Sequence, residues 1–142
     1  MDYLTQIIDP PPSRIELLLD SVRALRKPKL DGAPELPKAR LVRSAVALSA
    51  ADIATYGRAC GFRREQGVPL SYPHVLAFPL HLMLLTRPSF PYPASGMVHL
   101  ANRIRQQQRL HEGQALRLEV FCERWVAHPK EIGRASCRER VS

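Results

Sequence analysis

The stretch VPLSYPHVLAFPLHLMLLTRPSFPYP, residues 68–93, decides the fold. From Tyr72 to Thr86 it is almost continuously apolar, interrupted by Pro79 and lacking a charged stripe. A helix on a protein surface is apolar on one side only, whereas a helix that is apolar all round is buried. With a proline early in it and no polar face, this segment is expected to be wrapped by another element, and a sheet is the natural wrapping. Strand-rich sequence follows at Met97–Gln107 and Ala115–Ala127, joined by RLHEG, a short glycine-containing connection of the hairpin kind. In the second of these, Leu116, Leu118, Val120 and Cys122 alternate with Arg117, Glu119, Phe121 and Glu123, so one face is apolar and the other mostly charged. A buried helix with antiparallel strands curling around it is an α+β arrangement.

Upstream, LVRSAVAL at 41–48 reads as a strand, starting from Ala39. Ser49 with Asp52 three positions later opens a helix that Gly61 closes. Nearer the start, Ser13–Arg26 places Ile15, Leu18, Leu19, Val22 and Leu25 at helical spacing behind three prolines, an amphipathic helix with a basic end. Residues 27–40, KPKLDGAPELPKAR, have the proline, glycine and scattered charge of a linker. One strand before the central helix and two after it are few for closing a sheet over it, so the chain is expected to stop short of a complete fold.

At 142 residues and 45% hydrophobic content, the chain has the size and composition of one globular domain. No apolar run is long enough to cross a bilayer, and Asp2 with the early prolines stands where a signal peptide would be continuously apolar, which points to the cytoplasm. Cys60, Cys122 and Cys137 are widely spaced, without a CxxC or disulfide framework, and read as buried small hydrophobes. The formal charge is +8, and Arg14, Arg23, Arg26, Lys27, Lys29, Lys38, Arg40 and Arg43 carry much of it. Such a balance invites an anionic partner. Nucleic acid is not expected, because these basic residues lack interleaved aromatics or a recognition-helix pattern. No partner membrane is expected either.

Catalytic and metal constellations are sparse. His74 and His81 lie two helical turns apart on one face, but no HxxxH and no nearby acidic ligand is expected to complete a metal site. There is no GxSxG, no motif-borne Cys–His pair and no GxxxxGK phosphate loop. No metal and no cofactor are expected.

Several short patterns do coincide. Pro69-x-Ser71-Tyr72-Pro73, Phe78-Pro79, Phe90-Pro91-Tyr92, Gly96-x-x-His99-x-x-Asn102 and Asp52-x-x-x-Tyr56 lie within roughly residues 40–110. Together they resemble the N-terminal half of MaoC-like acyl-thioester dehydratases, in particular the mycobacterial-type (R)-3-hydroxyacyl-thioester dehydratases. The resemblance implies a hotdog fold, a long central helix wrapped by a curved antiparallel sheet, in a chain about twice as long built of two such halves. It also implies reversible hydration of 2-enoyl thioesters in the half bearing YAxxxGDxNPxH, whose Asp and His hold or activate the water. In this sequence Tyr56–Gly61 resembles the opening of that signature, but Phe62 stands where the family Asp would be and no NPxH follows. A phenyl ring neither accepts a proton nor orients water. The half in hand is therefore expected to be non-catalytic and to contribute part of the acyl-binding tunnel and the inter-half interface. Tyr72, Leu76, Phe78, Leu82 and Leu85 are the candidates for lining the tunnel, with plain core packing as the alternative for each.

The last residues, EIGRASCRERVS from 131 to 142, bring charged and small polar side chains and no apolar period. EIGRASCRERV resembles the in-frame translation of a common short-read sequencing adapter, so the segment is expected to be foreign to the protein. The chain then divides into a helical extension and Pro-rich linker (1–38), a truncated N-terminal hotdog half (39–130) and a non-native tail (131–142). The partners implied are an acyl thioester of coenzyme A or of acyl carrier protein, the missing C-terminal half and, through an unpaired sheet edge, a second copy as a homodimer. A non-catalytic acyl-thioester-binding or regulatory hotdog protein is the alternative reading.

Overall fold

A computed structural model of the chain describes residues 2–27, 35–94, 97–128 and 131–142. Residues 28–34 of the Pro-rich linker, Gly96 of the Gly-x-x-His-x-x-Asn pattern, and Pro129 and Lys130 lie outside the described residues. The elements run β1 (Leu4–Ile7), α1 (Arg14–Ala24), β2 (Ala39–Ala47), α2 (Ala50–Cys60), a short 3-10 turn (Arg64–Gln66), α3 (Tyr72–Thr86), β3 (Ala115–His128) and β4 (Glu131–Val141). The strands form one sheet in the order β1-β2-β3-β4. The chain is α+β, as its sequence patterns require.

Helix α3 carries the apolar run from Tyr72 to Thr86 and lies against β2 and β3. Pro73 falls in its first turn, where a missing N–H removes no helical hydrogen bond. Ala77, Leu80 and Leu84 point into the core and are fully buried. Opposite them stand the inward residues of the strands: Leu41 and Val46 from β2, and Leu116, Leu118, Val120 and Cys122 from β3. The alternation along β3 thus selects the buried face. Its other face is also largely covered, since the Arg40 guanidinium lies over the adjoining rings of Tyr3 (5.2 Å) and Phe121 (4.7 Å) and pairs with Glu119 at 3.5 Å.

The capping signals are realised. Ser13 accepts from the Glu16 amide at 3.2 Å while Glu16 accepts from the Ser13 amide at 2.6 Å, closing a capping box on α1. Ser49 accepts from the Asp52 amide at 3.3 Å, and Gly61 ends α2 in the left-handed region at φ 77°, where other residues are strained.

Three expectations are corrected. Residues 97–107 form no strand. Strand β3 pairs with β2 on one side and β4 on the other, so no β3 edge is left for them, and Val98 and Leu100 face outward. Instead of closing a hairpin, the RLHEG connection lays Gly113, at φ 83°, beside the end of β2: Gly113 donates to the Leu48 carbonyl and the Leu48 amide to Gln114, each at 2.8 Å. The sheet is mixed rather than wholly antiparallel, because β1 pairs in parallel with β2 from Leu4↔Ala39 to Ile7↔Val42. Finally, residues 131–141, read as lacking a pattern to pair with the sheet, run antiparallel to β3. Ladder pairing is made by the backbone, so an edge strand needs no apolar alternation of its own.

Helix α1 packs on α3, and its orientation is unusual. Ala24 is its buried residue, with Leu17 and Ser21 on the same side half-buried. The apolar stripe of Ile15, Leu18, Leu19, Val22 and Leu25 faces away, each residue between 48% and 70% exposed. Just beyond α1, Lys27 Nζ donates to the carbonyls of Leu85 (3.2 Å), Arg87 and Phe90 (3.5 Å), tying this end to the end of α3.

Candidate functional site

Around the start of α3, Tyr56 and Tyr72, two aromatic residues of the dehydratase-like patterns, meet Phe62. Tyr56 from α2 lies 5.3 Å from the Tyr72 ring and 6.2 Å from the Phe62 ring, and its hydroxyl shares a 2.7 Å hydrogen bond with Ser71. Helix α2 carries Tyr56 inward, and the left-handed turn at Gly61 folds Phe62 back so that its amide donates to the Gly57 carbonyl at 2.9 Å. Burial, and secondarily the negative charge of Asp52, raises the Tyr72 phenol above its ordinary range. Phe62 is 39% exposed and supplies only an apolar ring at the position in question. The cluster can hold an apolar group against aromatic faces, and its side-chain hydrogen bond joins Tyr56 to Ser71.

The five candidate lining residues do not converge on one cavity. Tyr72 is buried in the core, Leu76 and Leu85 pack against it, and Leu82 is half-buried. Phe78 points outward and is 56% exposed. Two clefts, of about 280 and 450 Å³, lie instead beside the 35–38 segment; Trp125 and Cys122 line the first, Leu4 and Arg87 the second. None of the five residues lines either cleft.

The structure also assembles a group that sequence spacing left incomplete. His74 and His81 share one face of α3, their rings 5.3 Å apart. Glu139 of β4 reaches both, with Oε2 at 2.8 Å from His74 Nδ1 and 3.0 Å from His81 Nε2. The expectation that the histidines lack an acidic neighbour is thereby corrected; the Glu is far away in sequence, and only strand pairing brings it near. Burial works to raise the Glu139 pKa, but hydrogen bonds from His81 and His74 and their charge outweigh it and hold the carboxyl below its ordinary range. Two imidazoles and a carboxylate with donor atoms within 4.8 Å of one another are a chemically reasonable cation-binding set. Beside this group, Cys122 Sγ and Cys137 Sγ lie 3.3 Å apart as free thiols; hydrogen bonding between them raises the first and lowers the second. Cys60, expected to be buried, is exposed at the end of α2.

No family model matches the chain, and no solved structure matches it. Among curated proteins, it is 30% identical over 105 residues to 3-hydroxyacyl-thioester dehydratase X of Mycobacterium tuberculosis (strain ATCC 25618 / H37Rv). The match covers 74% of this chain and 38% of that protein, so the chain spans well under half the length of the relative. The likeness supports a relationship to dehydratases of 3-hydroxyacyl thioesters. Among the described residues, no helix is long and apolar enough to cross a membrane.

Proposed function

We propose that residues 39–130 are the incomplete, non-catalytic N-terminal hotdog half of a MaoC-like acyl-thioester hydratase/dehydratase. The parent protein would interconvert 2-enoyl and 3-hydroxyacyl thioesters, and this part would supply acyl-binding surface and an interface to the other half. The likeness to a dehydratase that extends far beyond the matched segment carries the reading. Seating of the apolar α3 on the sheet, and an apolar Phe62 in place of an acid, support it. The basic balance of the chain suits a thioester whose carrier bears phosphates, coenzyme A or acyl carrier protein.

Residues 131–142 are, on this proposal, foreign sequence. Glu139 and Cys137, and the metal-ligand and thiol groups they complete, then have no native role. The deciding experiment is the genomic sequence past the codon for Lys130. The expected result is a frame that departs from EIGRASCRERVS, continues and encodes a YAxxxGDxNPxH segment. Genomic codons for residues 131–142 would refute the foreign tail, and an early stop would favour a non-catalytic thioester-binding protein. The 142-residue chain is expected to show no hydration of a 2-enoyl thioester, followed by loss of its ultraviolet absorbance.

A further inference from the structure

We propose that the outward stripe of α1 (Ile15, Leu18, Leu19, Val22 and Leu25) is a docking face for the remainder of the parent chain, the portion beyond residue 130. The inference rests on the reading of this chain as part of a longer dehydratase-like protein.

The orientation of α1 makes the case. An amphipathic helix ordinarily turns its apolar side to the core. Here the side holding Leu17, Ser21 and Ala24 meets α3, and Lys27 fixes the end of the helix to three carbonyls around the end of α3. The helix is therefore anchored with Ile15, Leu18, Leu19, Val22 and Leu25 pointing away from the core described. Val75 and Phe78 on α3 are also exposed. An exposed apolar stripe such as the one on α1 marks an interaction site.

Charge and length select the occupant. A helix that lies on an anionic membrane carries a predominantly basic polar side. Helix α1 instead balances Glu16 and Asp20 against Arg14 and Arg23, and Arg23 is paired with Asp20 at 3.2 Å. A protein surface fits this mixture better than anionic lipid. The relative contains much more chain than the segment matched here. Sequence in the same polypeptide meets the stripe at a high effective concentration, an advantage that a second copy lacks.

The test compares the complete protein encoded by the genomic frame with the 142-residue chain, both carrying Cys60→Ser and either Leu18→Cys or Glu16→Cys. Maleimide labelling at position 18 should be about tenfold slower in the complete protein, because a covered thiol reacts only through local opening. Labelling at position 16, on the polar side, should be equally fast in both. Equal rates at position 18 would overturn the proposal. So would protection that disappears on dilution, which means a second copy, or protection that requires phosphatidylglycerol vesicles, which means a membrane. A genomic frame that stops at residue 130 would sink the parent reading as well, whereas a continuing frame with an unprotected position 18 would sink the docking face alone.

Discussion

Leu84 and Phe78 belong to one apolar helix and stand in opposite surroundings. Leu84 is sealed between α3 and the sheet, so Leu84→Ala should cost about 2–5 kcal/mol of unfolding free energy, read from urea denaturation. Phe78→Ala, at an exposed position, should change the same measurement by no more than about 0.5 kcal/mol. Sequence could mark both as apolar but could not say which way each faces, because a helix without a polar stripe gives no angular reference. Position 62 carries a chemical prediction. Phe62→Asp should leave the chain without detectable hydration of a 2-enoyl thioester, since one carboxylate lacks the His that would complete the pair. Measurable turnover would show that the neighbourhood of Tyr56 and Tyr72 already holds a competent partner.

Among the elements, legibility followed the strength of local signals. Helices α1 and α2 were readable from Ser13 and Ser49 at their starts, and β3 from the strict alternation of Leu116 to Cys122. Strand β1 was missed because four residues ahead of a run of prolines carry too short a period, and its parallel partner lies 35 residues away in sequence. Residues 97–107 misled in the other direction: strand-like composition became no strand because the available β3 edges were taken by other segments. Removing the α1 cap by Ser13→Ala should destabilise the helix by about 1 kcal/mol, visible as faster amide exchange over residues 14–24. Strand β4 should respond to acid. The Glu139 carboxyl is held below its ordinary range, so its stabilisation is fully present above the unfolded carboxylate pKa and is lost as pH falls through the lower folded value. After correction for intrinsic exchange rates, amide protection in residues 136–141 should therefore fall in acid, and Glu139→Gln should abolish that dependence.

At the scale of the whole molecule, β4 covers the side of β3 that β2 leaves free. A chain ending at Lys130 would expose that side from Leu118 to His128, an invitation to pair with another copy. Such a chain should elute from gel filtration as a dimer or larger species, and a monodisperse monomer with a cooperative melt would count against the incomplete-sheet proposal. The apolar rod seated on a sheet was foreseeable from residues 68–93, because few arrangements bury such a segment. The direction in which α1 turns its stripe was not, because it depends on what the first half of the molecule leaves uncovered.

The stack of Tyr92 on Trp125, 5.3 Å apart and nearly parallel, gives the protein a built-in optical gauge. Trp125 is the sole tryptophan, so the emission of the chain reports from one point, where the loop after α3 rests on the far end of β3. A red shift that precedes the loss of helical circular dichroism would time the detachment of that loop before the helix itself unravels.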